Sequence, residues 1–326
     1  MVSIKDVAKH AGVSVATVSR VLNNSGYVGE DTRKKVEKTI KELNYKPNEV
    51  ARSLFKKQSN TIGLIVPDIM NPFFPELARA VEDTAIKLGY NVILCNSDGD
   101  GEKEQNYLDV LQQQYVNGII VSSNTLTATQ IERLNIPVVS IDRVISKGLP
   151  TIVVENKKGA MIATRYLQSK GCSRIGHIRG NSTVVNAEER AEGYKEIVGK
   201  EPWFKESFIV DGKYDMQSSI EATLELLNKH PEIDGIFAAN DIMAIGAIKA
   251  VYQLGKKVPE DIAIIGFDGI GLSKATTPEL TTVVQPIYEM GEKATTMLVS
   301  LMEQQQPADK EIYKILDVKL IEREST

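Results

Sequence analysis

From Thr61 onward the chain alternates short apolar runs with amphipathic stretches of helical length, and no other feature restricts the fold as much. The apolar runs are Thr61–Val66, Asn91–Cys95, Gly118–Val121, Val138–Ile141, Ile152–Val154, Ile175–Ile178, Phe208–Val210, Gly235–Ala238, Ala263–Phe267 and Leu280–Val284. Between them lie stretches such as Pro75–Leu88, Lys157–Lys170 and Met216–Lys229, which read as helices. Strands that are apolar along their whole length are covered on both faces, and parallel strands need a crossover helix. The pattern therefore predicts an α/β protein with parallel sheets flanked by helices. Ten strands over some 260 residues predict two doubly wound lobes rather than one very wide sheet. Ligands of such folds bind at the carboxyl ends of the strands, and two lobes place a cleft between those ends.

The first 58 residues are different. Residues 4–44 read as three short helices, with Val7, Ala8 and Ala11 on one face of the first and Val18, Val21 and Leu22 on one face of the second. Val36, Ile40 and Leu43 form the buried stripe of the third. Gly12 suits a tight turn between the first two, and Ser14 is a good N-cap for the helix that follows, which makes a helix-turn-helix. Next, Lys46–Phe55 opens with Pro47 and Asn48, both suited to a helix start. At this length the helix is stable only with outside support, which makes it a candidate order–disorder hinge.

Charge separates these parts. The 326 residues hold 39 Lys and Arg against 43 Asp and Glu, a net of −4 that argues against a nucleic-acid partner when taken whole. Residues 1–58 hold twelve basic and six acidic residues, a net of +6, and the remainder carries −10. A basic head on an acidic body is compatible with DNA binding by the head, though charge alone also describes a solvated face.

Other classes find little support. No segment approaches the ~18 apolar residues of a membrane span, and MVSIKDVAKH has no signal-peptide core, so a cytoplasmic protein without a membrane partner is expected. Cys95 and Cys172 have no CxxC partner, and His10, His177 and His230 complete no zinc spacing. Asn96-x-Asp98-x-Asp100-Gly101 falls short of a calcium loop because Tyr107 stands where the closing Glu is needed, and it reads as a surface turn. Neither a phosphate loop nor a Gly-x-Ser-x-Gly elbow occurs, so no metal, cofactor or catalytic residue is expected and the chain does not read as an enzyme.

The polar residues that stand out follow the strands. They are Asn71-Pro72-Phe73-Phe74, Asp142-Arg143, Arg190, Asn240-Asp241, Asp268 and Gln285. Planar Asp, Arg, Asn and Gln ends hydrogen-bond adjacent sugar hydroxyls, and aromatic faces cover the C–H side of a ring. No one of these is diagnostic; an Asp-Arg pair after a strand is as often a local ion pair.

IKDVAKHAGVSVATVSRVLN, followed by TRKKVEKTIKELNYKPNEVARSL, resembles the head and hinge of the lactose-repressor family of bacterial transcription regulators, and the resemblance extends over essentially the whole chain. It implies a helix-turn-helix head at 1–45, a hinge helix at 46–58 and a body of periplasmic-binding-protein type at 59–326. One lobe would take about 59–155 and 286–311, the other about 156–285 and 312–326. It further implies that Val15, Ala16 and Arg20 read bases while Ser14, Thr17, Asn23 and Tyr45 hold phosphates. Asn48, Ala51 and Leu54 would enter the minor groove, Leu54 as an apolar wedge at the central step.

In the body, Asn71, Phe73, Phe74, Asp142, Arg143, Arg190, Asn240, Asp268 and Gln285 match the ribose-contacting pattern of periplasmic ribose-binding proteins. Tyr214 stands where that pattern has Phe, and its hydroxyl is a candidate for altered ligand choice. The resemblance is closest to the ribose-operon branch of the family. It implies a homodimeric repressor of a ribose uptake or utilisation operon on a near-palindromic operator, released when D-ribose fills the cleft. Without a C-terminal leucine heptad, a dimer rather than a tetramer is expected. A catabolite-control regulator with a phosphorylated carrier protein as partner, a regulator of another pentose, and a plain sugar-binding module are the rival readings.

Overall fold

The computed structural model describes residues 2–45, 59–303 and 312–326. It divides into two units, Met1–Ser59 and Asn60–Thr326.

In the first unit, α1 (Ile4–Ala11), α2 (Val15–Asn23) and α3 (Glu30–Glu42) pack around Val7, Ala8, Ala11, Val18, Val21 and Val36. Leu22, Ile40 and Leu43 border this core half-buried. Ser3 and Asp6 form a capping box at the start of α1, and Gly12 ends that helix at φ 61°. Ser14 caps α2, its side chain accepting from the Thr17 amide. The helix-turn-helix is thus set by local chemistry: a left-handed glycine stops one helix and a hydroxyl starts the next. The expected hinge helix lies outside the described residues.

The second unit contains two sheets. Strands β1 (Thr61–Val66), β2 (Asn91–Asn96), β3 (Gly118–Val121), β4 (Val138–Ile141), β5 (Thr151–Val154) and β11 (Tyr313–Leu316) form one, in the order β11-β5-β4-β3-β1-β2. Strands β6 (Ile175–Arg179), β7 (Ile209–Asp211), β8 (Gly235–Ala238), β9 (Ala263–Asp268), β10 (Thr281–Val284) and β12 (Lys319–Ile321) form the other, ordered β12-β10-β9-β8-β6-β7. All pairings are parallel except β10 with β12. Crossover helices are α4 (Phe73–Lys87), α5 (Gly101–Gln113), α6 (Ala128–Glu132), α7 (Asn156–Ser169), α8 (Val185–Val198), α9 (Met216–Lys229), α10 (Asp241–Gln253) and α11 (Ile287–Met302). The central strands β1, β3, β4, β8 and β9 are buried almost throughout, as expected of sheets covered on both faces. Helices α7 and α8 lie so close that a Cβ on Gly193 would come within 2.3 Å of the Lys157 carbonyl oxygen, a contact only glycine permits.

Several element ends differ by a residue or two from those expected (β10 begins at Thr281 rather than Leu280), and two differences matter for the fold. Residues 312–326 do not all belong to the second lobe: Tyr313–Leu316 pairs with Thr151–Val154 in the first sheet, and only Lys319–Ile321 joins the second. Both are short edge strands of half-exposed residues, so they lack the apolar run that marks the others. Phe208, expected in a strand, closes a short 3-10 turn and β7 begins at Ile209. The chain thus passes between lobes between β5 and α7, between β10 and α11, and between β11 and β12. These three short connections join the lobes, and residues from both line a cleft between them.

Among the described residues no helix is long and apolar enough to cross a membrane, and no group of three His, Cys, Asp or Glu is placed to hold a metal. In the near-miss calcium loop, Asp100 instead caps α5 through the Glu102 and Lys103 amides, and Asp98 pairs with Lys103. Both cysteines are free thiols whose pKa burial pushes up to about 11.

Candidate functional site

On the head, Val15 (40% exposed), Ala16 and Arg20 face solvent at the start and outer side of α2. Their isolation from the core follows from the helical period, because Val18 and Val21 take the inner face. The Ser14 and Thr17 hydroxyls bond each other at 2.9 Å at the helix N-terminus, where backbone N–H groups converge. Asn23 donates to the Ser19 carbonyl at 2.9 Å, and Tyr45 is half-buried against the head core. Tyr27, not singled out from the sequence, is 93% exposed in the turn after α2. Asn48, Ala51 and Leu54 lie outside the described residues.

Between the lobes of the body lies a cleft of about 500 Å³, within the ordinary range of small-ligand sites. All ten residues expected to bind ligand line it: Asn71, Phe73, Phe74, Asp142, Arg143, Arg190, Tyr214, Asn240, Asp268 and Gln285. Phe73 and Phe74 sit in the first turn of α4, their rings edge to face at 5.0 Å, and the Asn71 side chain accepts from the Phe73 amide at 3.2 Å. Asp142 follows β4 and Asp268 ends β9, the strand-end positions at which such folds bind ligands.

The second lobe supplies an ion-paired floor. Arg190, only 2% exposed, donates to Asp268 Oδ1 at 3.2 Å, to the Ala239 carbonyl at 2.5 Å and to Asn156 Oδ1 at 2.9 Å. Its guanidinium lies 3.8 Å from the centre of the Phe267 ring, which holds the planar group flat. Gln285 donates to the same Asp268 oxygen at 2.6 Å. Burial pushes the Asp268 carboxyl up to about 6, opposed by Arg190 and the Gln285 bond. Asp241, one residue beyond Asn240, accepts from the Gly269 and Ile270 amides at 2.8 Å each and from the Thr282 hydroxyl at 2.5 Å. It fixes the turn that holds Asp268 at φ 108°. Burial and the neighbouring Asp268 raise the Asp241 carboxyl well above the usual range. Asp142 (φ 66°) and Tyr214 (φ 59°) also adopt left-handed backbone, a concentration of strain typical of functional sites.

In the first lobe Glu104, fully buried, accepts from the Ser97 and Ser123 hydroxyls at 3.2 and 2.6 Å and from Thr125. It anchors the loops that carry Asp98, Gly99, Asn124 and Thr125 to the cleft wall. Arg143 Nε pairs with Asp142 Oδ2 at 3.4 Å, and Asn240 Nδ2 and Gln285 Oε1, both on cleft residues, are buried without a hydrogen-bond partner. Such groups are costly to leave unpaired, and their convergence defines a surface complementary to a polar ligand.

The sequence reading missed Asn156 and Asn186. Asn156 fixes Arg190, and the Asn186 amide donates to both Asp142 oxygens at 3.2 Å while accepting from the Tyr214 hydroxyl at 2.9 Å. Each is an asparagine near a helix start, where local capping is the usual explanation, and only the folded geometry reveals the other role.

A helix-turn-helix head joined in one chain to a two-lobed body with a polar cleft defines a DNA-binding regulator that responds to a small molecule. Residues 59–323 match the family of periplasmic binding proteins and the sugar binding domain of the LacI family, and residues 3–48 match the bacterial regulatory proteins of the lacI family. The chain belongs to the LacI family and is a transcriptional repressor of that family. It is 49% identical, over all of its length and 97% of the relative's, to the ribose operon repressor of Halalkalibacterium halodurans. Catabolite control protein A of Priestia megaterium is 39% identical over 93% of each chain. The lac repressor dimer bound to operator and the anti-inducer ONPF superposes with a TM-score of 0.87 at 28% identity, covering 99% of this chain and 98% of that one. A LacI family regulator of Enterococcus faecium with bound ribose gives 0.73 at 29% identity, over 82% and 98%.

Proposed function

We propose that this repressor controls a ribose uptake or utilisation operon and leaves its operator when D-ribose occupies the cleft. The observation that carries the reading is the Arg190–Asp268–Gln285 array opposite the Phe73–Phe74 pair, bordered by the unpartnered polar atoms of Asn240 and Gln285 and by the Asp142–Arg143 ion pair. Fixed donors and acceptors suit adjacent hydroxyls, and the two rings suit the apolar face of a small sugar. The ribose operon repressor relative and the ribose-bound regulator support the same choice.

In this reading Val15, Ala16 and Arg20 contact base edges, and Ser14, Thr17, Asn23 and Tyr45 contact phosphates. Asn48, Ala51 and Leu54 engage the minor groove. The protein acts as a homodimer on a near-palindromic operator. Ligand releases DNA only by binding the non-DNA state more tightly, since equal affinity for both states shifts nothing.

Calorimetric titration of the full chain with D-ribose, D-xylose, L-arabinose and D-glucose tests the ligand. Saturable heat with D-ribose, abolished in Asp268→Ala, is expected; a wild-type protein silent to D-ribose sinks the assignment. The catabolite-control reading, favoured by the 39% identical relative, predicts instead that a phosphorylated carrier protein strengthens operator binding.

A further inference from the structure

The Tyr214 hydroxyl has a use inside the protein. It donates to Asn186 Oδ1 at 2.9 Å, which orients that amide so that its Nδ2 points to Asp142 and meets both carboxylate oxygens at 3.2 Å. Asp142 follows a strand of the first sheet, whereas Asn186 lies on α8 and Tyr214 after β7, both in the second lobe. The chain of bonds therefore crosses the cleft.

Its parts are held firmly. The Tyr214 ring lies over Gly180, where a Cβ would come within 2.3 Å of it. Lys213 and Tyr214 both have left-handed backbone in the loop that presents the ring. Asn186 and Asp142 are 6% and 5% exposed. A buried asparagine with its carbonyl and its amide both engaged has one orientation, because an amide flip would set oxygen against oxygen at Asp142. A carboxylate accepts about four hydrogen bonds, so Asn186, together with Arg143 Nε at 3.4 Å from Oδ2, fixes the plane of Asp142 and leaves it capacity toward the cleft.

We propose that Asn186 is a positioning residue that clasps the two lobes through Asp142, and that the Tyr214 hydroxyl serves this clasp rather than the ligand. The inference rests on the ligand reading above only where sugar affinity is concerned. The clasp itself sets the spacing of the lobes in the ligand-free protein. Where a phenylalanine replaces Tyr214, the ring still covers Gly180 but the asparagine is free to turn.

Spin labels on Glu102→Cys and Gln217→Cys, one exposed site in each lobe, report that spacing by electron–electron distance in the full chain carrying Cys172→Ser; Cys95 is buried and does not label. Asn186→Asp sets two carboxylates together and is expected to lengthen and broaden the ligand-free distance. Adding Asp142→Asn, which exchanges donor and acceptor, is expected to restore it. An Asn186→Asp distance identical to wild type overturns the clasp, as does a double variant no closer to wild type than the single.

The conservative Tyr214→Phe leaves Asn186 Oδ1 buried without its donor, so it is expected to broaden the ligand-free distance as Asn186→Asp does, to lower the melting temperature slightly and to weaken D-ribose binding about three- to ten-fold. Full affinity in Tyr214→Phe would return the hydroxyl to a bystander. A wild-type protein that ignores D-ribose defeats the ribose reading alone, and the distance measurements still decide the clasp.

Discussion

Burial gives the cleft carboxyls and the core histidine opposite proton linkages. The Asp268 carboxyl is pushed up to about 6 and Asp241 well above the usual range, against about 3.9 in an unfolded chain. Their stabilising contribution is therefore fully present below about pH 4 and is lost as pH rises through the folded value. His177 stacks between Tyr194 and Phe237 at 5.0 and 4.8 Å, and burial pushes its imidazole down to about 3. The stability of its neutral form is present above about pH 6.5 and is lost as pH falls toward 3, by up to about 1.4 kcal/mol per pH unit. Between about pH 4 and 6 these trends offset each other. Denaturant unfolding should show stability rising on acidification in His177→Phe and falling more steeply than wild type in Asp268→Asn; three parallel curves would contradict the linkage. Ligand adds a separate dependence. In the proposed ribose reading sugar hydroxyls donate to ionised Asp268, so D-ribose affinity should fall as pH drops through about 6, and titration of Asp268→Asn should give weak, pH-independent binding.

At the level of elements, Asn240 combines two duties that substitution can separate. Its Oδ1 caps α10 by accepting from the Met243 amide at 2.8 Å, while its Nδ2 lines the cleft unpartnered. Asn240→Asp keeps the cap but replaces a donor with an acceptor. It should still fold, somewhat less stably because a further carboxyl is buried beside Asp241, and bind D-ribose at least ten-fold more weakly. Asn240→Ala should lose about 1 kcal/mol of stability as well. Wild-type D-ribose binding in Asn240→Asp would show that the cleft-facing amide is not a ligand contact. The same scale explains what could be read without coordinates. Strands such as Val138–Ile141 and Ala263–Phe267 are near-continuous apolar runs because both faces are covered, and their ends locate Asp142 and Asp268. The edge strand Tyr313–Leu316 alternates half-exposed and exposed residues and carries no such mark. Asn156 and Asn186 were illegible for a different reason: their partners Arg190, Glu189, Asp142 and Tyr214 are assembled only by the packing of α7, α8 and the lobes.

For the whole molecule, charge and apolar surface divide the work. The net +6 of residues 1–58 against −10 elsewhere concentrates attraction for phosphate on the head. Operator affinity should fall steeply with salt, by a slope of about −0.9 per phosphate neutralised, and a flat response would remove the head's electrostatic role. Leu54→Ala should weaken operator binding while leaving sugar binding intact; loss of both would make the residue structural. In the body, Leu94 (46% exposed) on the edge strand β2 and Ile69 in the loop before α4 are exposed beside Pro75 and Ala78 of α4, around a shallow apolar groove. An apolar sheet edge left open invites association, and a homodimer covers such surfaces. Leu94→Asp is expected to shift the sedimentation profile toward monomer and weaken operator binding with it, whereas an unaltered profile would place the interface elsewhere.

The most direct measurement is operator affinity of the full chain with and without D-ribose, followed by fluorescence anisotropy at fixed salt. Saturating D-ribose is expected to weaken binding at least ten-fold in wild type and to have no effect in Asp268→Ala. Operator affinity that is unchanged or strengthened by D-ribose would contradict release by this sugar.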